Sequence, residues 1–151
     1  MEAMIFREAV TSDIPQMQIV RNAVKENRLS DPSLVTDADY VEFIVNSGRG
    51  WVCQKGDAVV GFAIVDLAKK NVWALFVAPE FEGLGIGRKL HGLMLDWYFE
   101  NSGETLWLGT AFQTRAARFY HRLGWKRAGT HGKEARFEMD AQDWIRLKKG
   151  I

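Results

Sequence analysis

Three glycines spaced two apart, Gly83, Gly85 and Gly87, stand where this sequence must begin a helix. Apolar residues at Ile86, Leu90, Leu93, Met94 and Trp97 recur at helical spacing, so Gly85 and Gly87 fall at or inside the first turn. Each glycine there costs roughly 0.5 to 1 kcal/mol against alanine. The first amides of a helix have no partner within it, and the macrodipole makes that end positive. Bare backbone at such a place suits a phosphate, because no side chain obstructs the amides. The competing reading is a glycine-rich connection that lets a helix and a strand pack closely.

Spacing narrows the ligand. No Gly-Lys-Ser/Thr follows at the distance a Walker loop needs. A dinucleotide fingerprint would need a third glycine at Arg88 or Leu90, and neither is glycine. The run Glu82-Gly83-Leu84-Gly85-Ile86-Gly87 resembles the acyl-CoA signature of the GNAT N-acetyltransferases, Gln/Arg-x-x-Gly-x-Gly/Ala at a strand-to-helix turn. Glu82 departs from it, an acid where the family has Gln or Arg. A second stretch, from Gln113 to Trp125, is similar to that family's Asn-x-x-Ala-x-x-Phe/Leu-Tyr-x-x-x-Gly-Phe, with Gln113 in the Asn place and Trp125 in the Phe place.

The resemblance implies acetyl-CoA as cosubstrate. It implies cofactor contacts from Phe76, Val77, Gly83, Leu84, Gly85, Ile86, Gly87, Arg88 and Gln113, an oxyanion-donating backbone N-H near Val77, and Tyr120 as the acid that protonates the departing thiolate. A phenol titrating near ~10 and a thiol near ~8.5 are close enough for that transfer. Without the resemblance, Tyr120 reads as a core residue beside Phe119 and Leu123. Further cations, Lys89, Arg115, Arg118 and Arg122, are available to the cofactor's phosphates.

A length of 151 residues with 47% hydrophobic and 26% charged content suits a single globular domain over 1–151. Net charge is +1, so no global field favours nucleic acid or an anionic membrane surface. No apolar run reaches membrane-spanning length, and the first residues lack a secretory pattern, so a cytoplasmic location is expected. Cys53 is alone in an apolar alternating stretch and reads as a buried thiol. His91, His121 and His131 show no metal-ligand spacing, so no metal is expected.

Local signals give a strand over 4–10, then a helix capped within Thr11, Ser12 and Asp13 and running to about Asn27. A loop at 28–32 precedes a second helix, which starts at Thr36 with a capping box to Asp39 and stops at Gly48. Strands follow at 51–55, 58–67 and 71–77, the last ended by Pro79. The glycine-led helix over 85–100 connects to a strand over 105–110, a crossover that places this strand parallel to 71–77. A helix over 116–123, a hairpin of 125–130 with 134–139, and an amphipathic tail from Ala141 complete the chain. The sum is an α/β fold with a mixed, mostly antiparallel sheet flanked by helices, in the element order of the GNAT fold. Open sheet edges leave room for a homodimer.

Acyl transfer also needs a neutral amine. The strand that carries a Glu or His base in many relatives is Val72-Trp73-Ala74-Leu75-Phe76-Val77, which has no such group. Either an ordered water or a distant carboxylate takes the proton, with Asp66, Glu26 and Asp31 as candidates. By analogy with the fold, Arg28, Asp31 and Trp73 border the acceptor, and near-neutral charge favours a small amine over a basic peptide. The reading is an acyl-CoA-dependent N-acyltransferase acting on a small primary amine. The alternatives are a CoA-binding regulatory module without activity and a nucleotide-binding protein.

Overall fold

Alternation of buried and half-buried residues makes the middle of the chain a sheet, and the helices cover both of its faces. The structure, a computed structural model, describes residues 3–24 and 35–150. Seven strands run in the spatial order β1-β2-β3-β4-β5-β7-β6. They are β1 (Met4–Glu8), β2 (Gly48–Lys55), β3 (Ala58–Asp66), β4 (Asn71–Val77), β5 (Leu106–Thr110), β6 (Lys126–His131) and β7 (Glu134–Met139). All neighbours are antiparallel except β4 and β5, which are parallel, as the crossover requires. The helices are α1 (Ile14–Ala23), α2 (Asp37–Val41), α3 (Ile86–Asn101), α4 (Arg115–Arg122) and α5 (Ala141–Lys148).

Two apolar cores lie on opposite faces of the sheet. One joins α3 and α4 to the strands through Leu90, Met94, Tyr98 and Tyr120. The other joins α1 and α2 through Met17, Val20, Tyr40 and Phe76. Leu90, Met94 and Leu95 on α3 are fully buried, each contributing about 1.5–3 kcal/mol. This burial holds the glycine-led end of α3 against β3 and β4.

Several boundaries differ from the sequence expectation. Helix α1 ends at Ala23, because Val24 is extended; the rest of the expected run to Asn27 lies outside the described residues. Asp13 caps no helical amide. Its carboxylate instead accepts from Arg7 Nη1 and Nη2 and from the Val10 amide, which holds its pKa below the ordinary value and ties β1 to α1. The capping box at Thr36 forms, with Thr36 Oγ1 accepting from the Asp39 amide and Asp39 Oδ2 from the Thr36 amide. Gly48 stops no helix. The chain widens to a π-helical turn over Glu42–Asn46, and Gly48 opens β2, where a Cβ would stand 1.8 Å from the Val65 carbonyl oxygen. Backbone approach, not helix termination, requires that glycine.

The ladder between β4 and β5 consists of one residue pair, Asn71 with Trp107. Beyond it the strands part, so the edge of β4 that faces β5 keeps backbone N-H and C=O groups without sheet partners from β5. The opposite edge of β4 is not regular either. Its pairing with β3 steps from Ala74 to Val72 across from Ile64 and Val65, which leaves Trp73 as a bulge.

Candidate active site

Where β4 leaves β5, two cavities open. The first, about 560 Å³, is walled by the end of β4, the glycine turn and α4. Of the residues expected at a cofactor, Phe76, Val77, Gly83, Gly85, Ile86, Gly87 and Arg88 line it. Two do not. Leu84 points outward, 63% exposed. Gln113 is exposed in the turn before α4, where its backbone adopts φ +57° and its carbonyl accepts from Arg118 Nη1. The cap of α4 falls instead to Thr114, whose Oγ1 accepts from the Ala117 amide.

The glycines distinguish an anion cradle from a packing connection. Gly83 and Gly85 have φ of +78° and +82°, a region disfavoured for residues with a Cβ, yet no atom lies within 4 Å of where that Cβ would be. Gly87 has room for a methyl group, its nearest neighbours being Phe119 and Val77 at 3.6 Å. Close packing therefore requires none of the three. What they leave open is the approach to the start of α3, where no side chain caps the helix. Gly85→Ala is expected to lower stability by about 1 kcal/mol through its backbone conformation, measured by urea unfolding.

The charges around the cleft are uneven. Arg88, Arg115 and Arg122 line it. Lys89 turns away and lies over the Phe6 ring at 4.9 Å. Glu82 also lines the cleft, and its carboxylate accepts from Arg115 Nη1 at 2.5 Å. The acid in the motif is thus held by a cation from the next helix, at the mouth where an anion would enter.

The second cavity, about 310 Å³, lies in the gap between β4 and β5 and is walled by Trp73, Gly109, Thr110 and Glu134 among others. Leu75, Phe76, Ala116 and Tyr120 border both cavities. Tyr120 is thus the polar side chain at their junction. Its hydroxyl has no hydrogen-bond partner among the described residues, and burial pushes its pKa far above the ordinary phenol value. A group so placed stays protonated at any working pH, and burial separates its pKa from that of a thiol, contrary to the sequence expectation of close values, so it can pass a proton to a leaving thiolate only as it receives another.

Trp73 borders the second cavity, with its ring 5.0 Å from that of Tyr40 and 4.6 Å from that of Phe43. Arg28, Asp31 and Glu26 lie outside the described residues. Asp66 is no base. It is buried at the end of β3, where Oδ1 accepts from the Ala68 and Lys69 amides, and it borders neither cavity. Sequence reasoning missed two charged residues of this cavity, Arg21 and Glu134. Arg21 gave no signal beyond a cation in an apolar-striped helix. Glu134 had a faint one, since a glycine inside a strand marks close approach. A Cβ at Gly109 would lie 2.8 Å from Glu134 Oε1.

The model of the acetyltransferase (GNAT) family matches residues 16–125. Among solved structures, the chain is similar to the PaiA N-acetyltransferase of Thermoplasma acidophilum in complex with coenzyme A, at 15% identity over 91% of this chain and 99% of that one, with TM-score 0.80. It is also similar to the ribosomal-protein-S18-alanine N-acetyltransferase of Escherichia coli, at 18% identity over 91% and 92% with TM-score 0.71. A GNAT acetyltransferase of Staphylococcus aureus gives 17%, 91%, 99% and 0.78. At such identities the likeness is one of fold. No curated protein matches the chain in sequence.

Proposed function

The chain belongs to the acetyltransferase (GNAT) family and is an N-acetyltransferase with acetyl-CoA as acyl donor; from that premise we propose that it acetylates a primary amine of a small molecule by direct attack in a ternary complex. The observation that carries this reading is the meeting of two cavities at one buried side chain, Tyr120, whose hydroxyl has no hydrogen-bond partner among the described residues. A donor in the first cavity and an acceptor in the second would have their reacting atoms at Tyr120.

When bound, acetyl-CoA supplies an acetyl group activated as a thioester. The uncapped amides at the start of α3, with Arg88 and Arg122, hold its phosphates. Phe76 and Val77 border its acyl end, and a backbone N-H on the freed edge of β4 near Val77 polarises the acetyl carbonyl. As the amine forms its C-N bond and the C-S bond breaks toward sulfur, Tyr120 gives its phenolic proton to the thiolate. It receives one from the newly acylated nitrogen in the same motion, so no phenolate forms and the residue ends the cycle unchanged. The lone cysteine, Cys53, is free and buried with its pKa raised by desolvation, which suits the reducing cytoplasm where we place the enzyme.

Calorimetric titration tests the donor site. Acetyl-CoA and CoA are expected to bind with micromolar or tighter affinity, and ATP and NAD at least tenfold more weakly; equal binding of ATP would remove the reading. Glu82→Gln removes an acid at the mouth of the cleft and is expected to tighten CoA binding by up to about fivefold, the scale of an exposed charge pair. The same titration, repeated at high salt to screen the effect, checks it.

A further inference from the structure

The second cavity holds opposite charges on opposite walls, and neither has an ion-pair partner among the described residues. Arg21 reaches it from α1 on the β4 side, with its guanidinium 5.3 Å from the Trp73 ring centre and 5.0 Å from that of Phe76. Two of its nitrogens, Nε and Nη1, are buried and make no hydrogen bond among the described residues. The neighbouring Tyr40 hydroxyl is likewise buried with no well-aligned hydrogen bond among the described residues; burial raises its pKa, and the adjacent Arg21 guanidinium opposes the rise by its charge and as a nearby donor. Glu134 reaches the cavity from the start of β7 on the β5 side, folded over Gly109. Buried donors left unmade are costly. A guanidinium close to two aromatic rings, with two of its nitrogens unpaired, suits a planar anion.

Resting on the acetyltransferase reading above, the geometry points to an acceptor that carries a carboxylate beside its amine, a free α-amino acid or a close analogue, bound with its carboxylate on Arg21 and its amine toward Glu134. A cavity of about 310 Å³ suits a ligand of that size. The incoming ammonium gives one proton to the Glu134 carboxylate. The neutral nitrogen then forms the C-N bond, the C-S electron pair leaves with sulfur, and Tyr120 moves the second proton from nitrogen to the thiolate. The proton on Glu134 returns to solvent, so the net change is one ammonium and one thioester becoming one amide, one thiol and one free proton. Glu134 thereby fills the place of the base that β4 lacks.

The test is thiol release from acetyl-CoA with each of the standard α-amino acids, its α-carboxamide and its decarboxylated amine as paired acceptors. The amino acid form of at least one side chain is expected to exceed its carboxamide and amine by about tenfold to hundredfold in kcat/KM. Arg21→Gln should erase that preference through KM while CoA affinity stays unchanged, which also shows that the variant is folded. Arg21→Lys should restore part of it. Glu134→Gln should lower kcat, with the loss shrinking as pH rises and free amine accumulates. Acetylation of amines and carboxamides with no advantage for the carboxylate would overturn this inference and leave the acetyltransferase reading standing. No thiol release with any acceptor, from protein that binds acetyl-CoA, would overturn both.

Discussion

Tyr120→Phe is expected to lower turnover by about 10²- to 10⁴-fold, the usual range for a positioned general acid, while CoA affinity stays within twofold. The physical reason lies in what the hydroxyl does not do. It has no hydrogen-bond partner among the described residues, so removing it orphans no protein group. The ring packs among Phe119, Trp125 and Phe137, and phenylalanine keeps those contacts. Thermal stability should therefore be equal or slightly higher in the variant, which separates a chemical loss from a folding defect. Because burial holds the Tyr120 pKa far above the ordinary phenol value, wild-type turnover should show no alkaline limb from this residue. Retained turnover in Tyr120→Phe would remove it from the mechanism.

Acidification is expected to destabilise the fold by about 3 kcal/mol between pH 6.5 and pH 4, through His91. His91 lies inside α3, fully desolvated, and its Nε2 accepts from Trp125 Nε1 at 2.9 Å, so that nitrogen carries no proton. Desolvation first, and the nearby Arg88 charge second, lower its pKa to about 4. The unfolded chain titrates near 6.5. Above that pH both states are neutral and the group contributes no pH dependence. Between the two values the unfolded chain binds the extra proton, so stability falls as pH falls; below about 4 the full loss is present. Asp13 acts at still lower pH, because its pKa is held below the ordinary carboxylate value by Arg7. The consequence reaches the site, since the His91 ring also meets Phe119 of α4 edge-on, 6.2 Å between centres. Urea midpoints across pH 4 to 8 check this, and His91→Gln, which keeps an acceptor for Trp125, should flatten the slope. An unchanged slope in that variant would assign the acid sensitivity elsewhere.

The fold was legible because its signals are local and periodic. Strands β4 and β7 match their expected limits, since proline, turn residues and alternation mark both ends. Gly48 misled because glycine after a helix reads as a stop, whereas its real constraint is the Val65 carbonyl on a strand seventeen positions away. The glycine turn was legible for the same local reason, and the sign of φ at Gly83 and Gly85 agrees with it. The second cavity was not, because it depends on where β4 and β5 separate and on which side chains from α1 and β7 enter the gap. Arg21 and Glu134 are 113 positions apart, and nothing in one sequence links them. Gln113 shows the converse. Its place in a motif suggested a contact, but the left-handed turn directs it to solvent.

The most direct measurement of the central claim is initial-velocity analysis of thiol release, with acetyl-CoA and an amine acceptor both varied. Two cavities that share Tyr120 require donor and acceptor to be bound together, so the double-reciprocal lines should intersect, and no thiol should be released without the amine. Parallel lines, or acetylated enzyme trapped in the absence of acceptor, would contradict direct transfer across that junction.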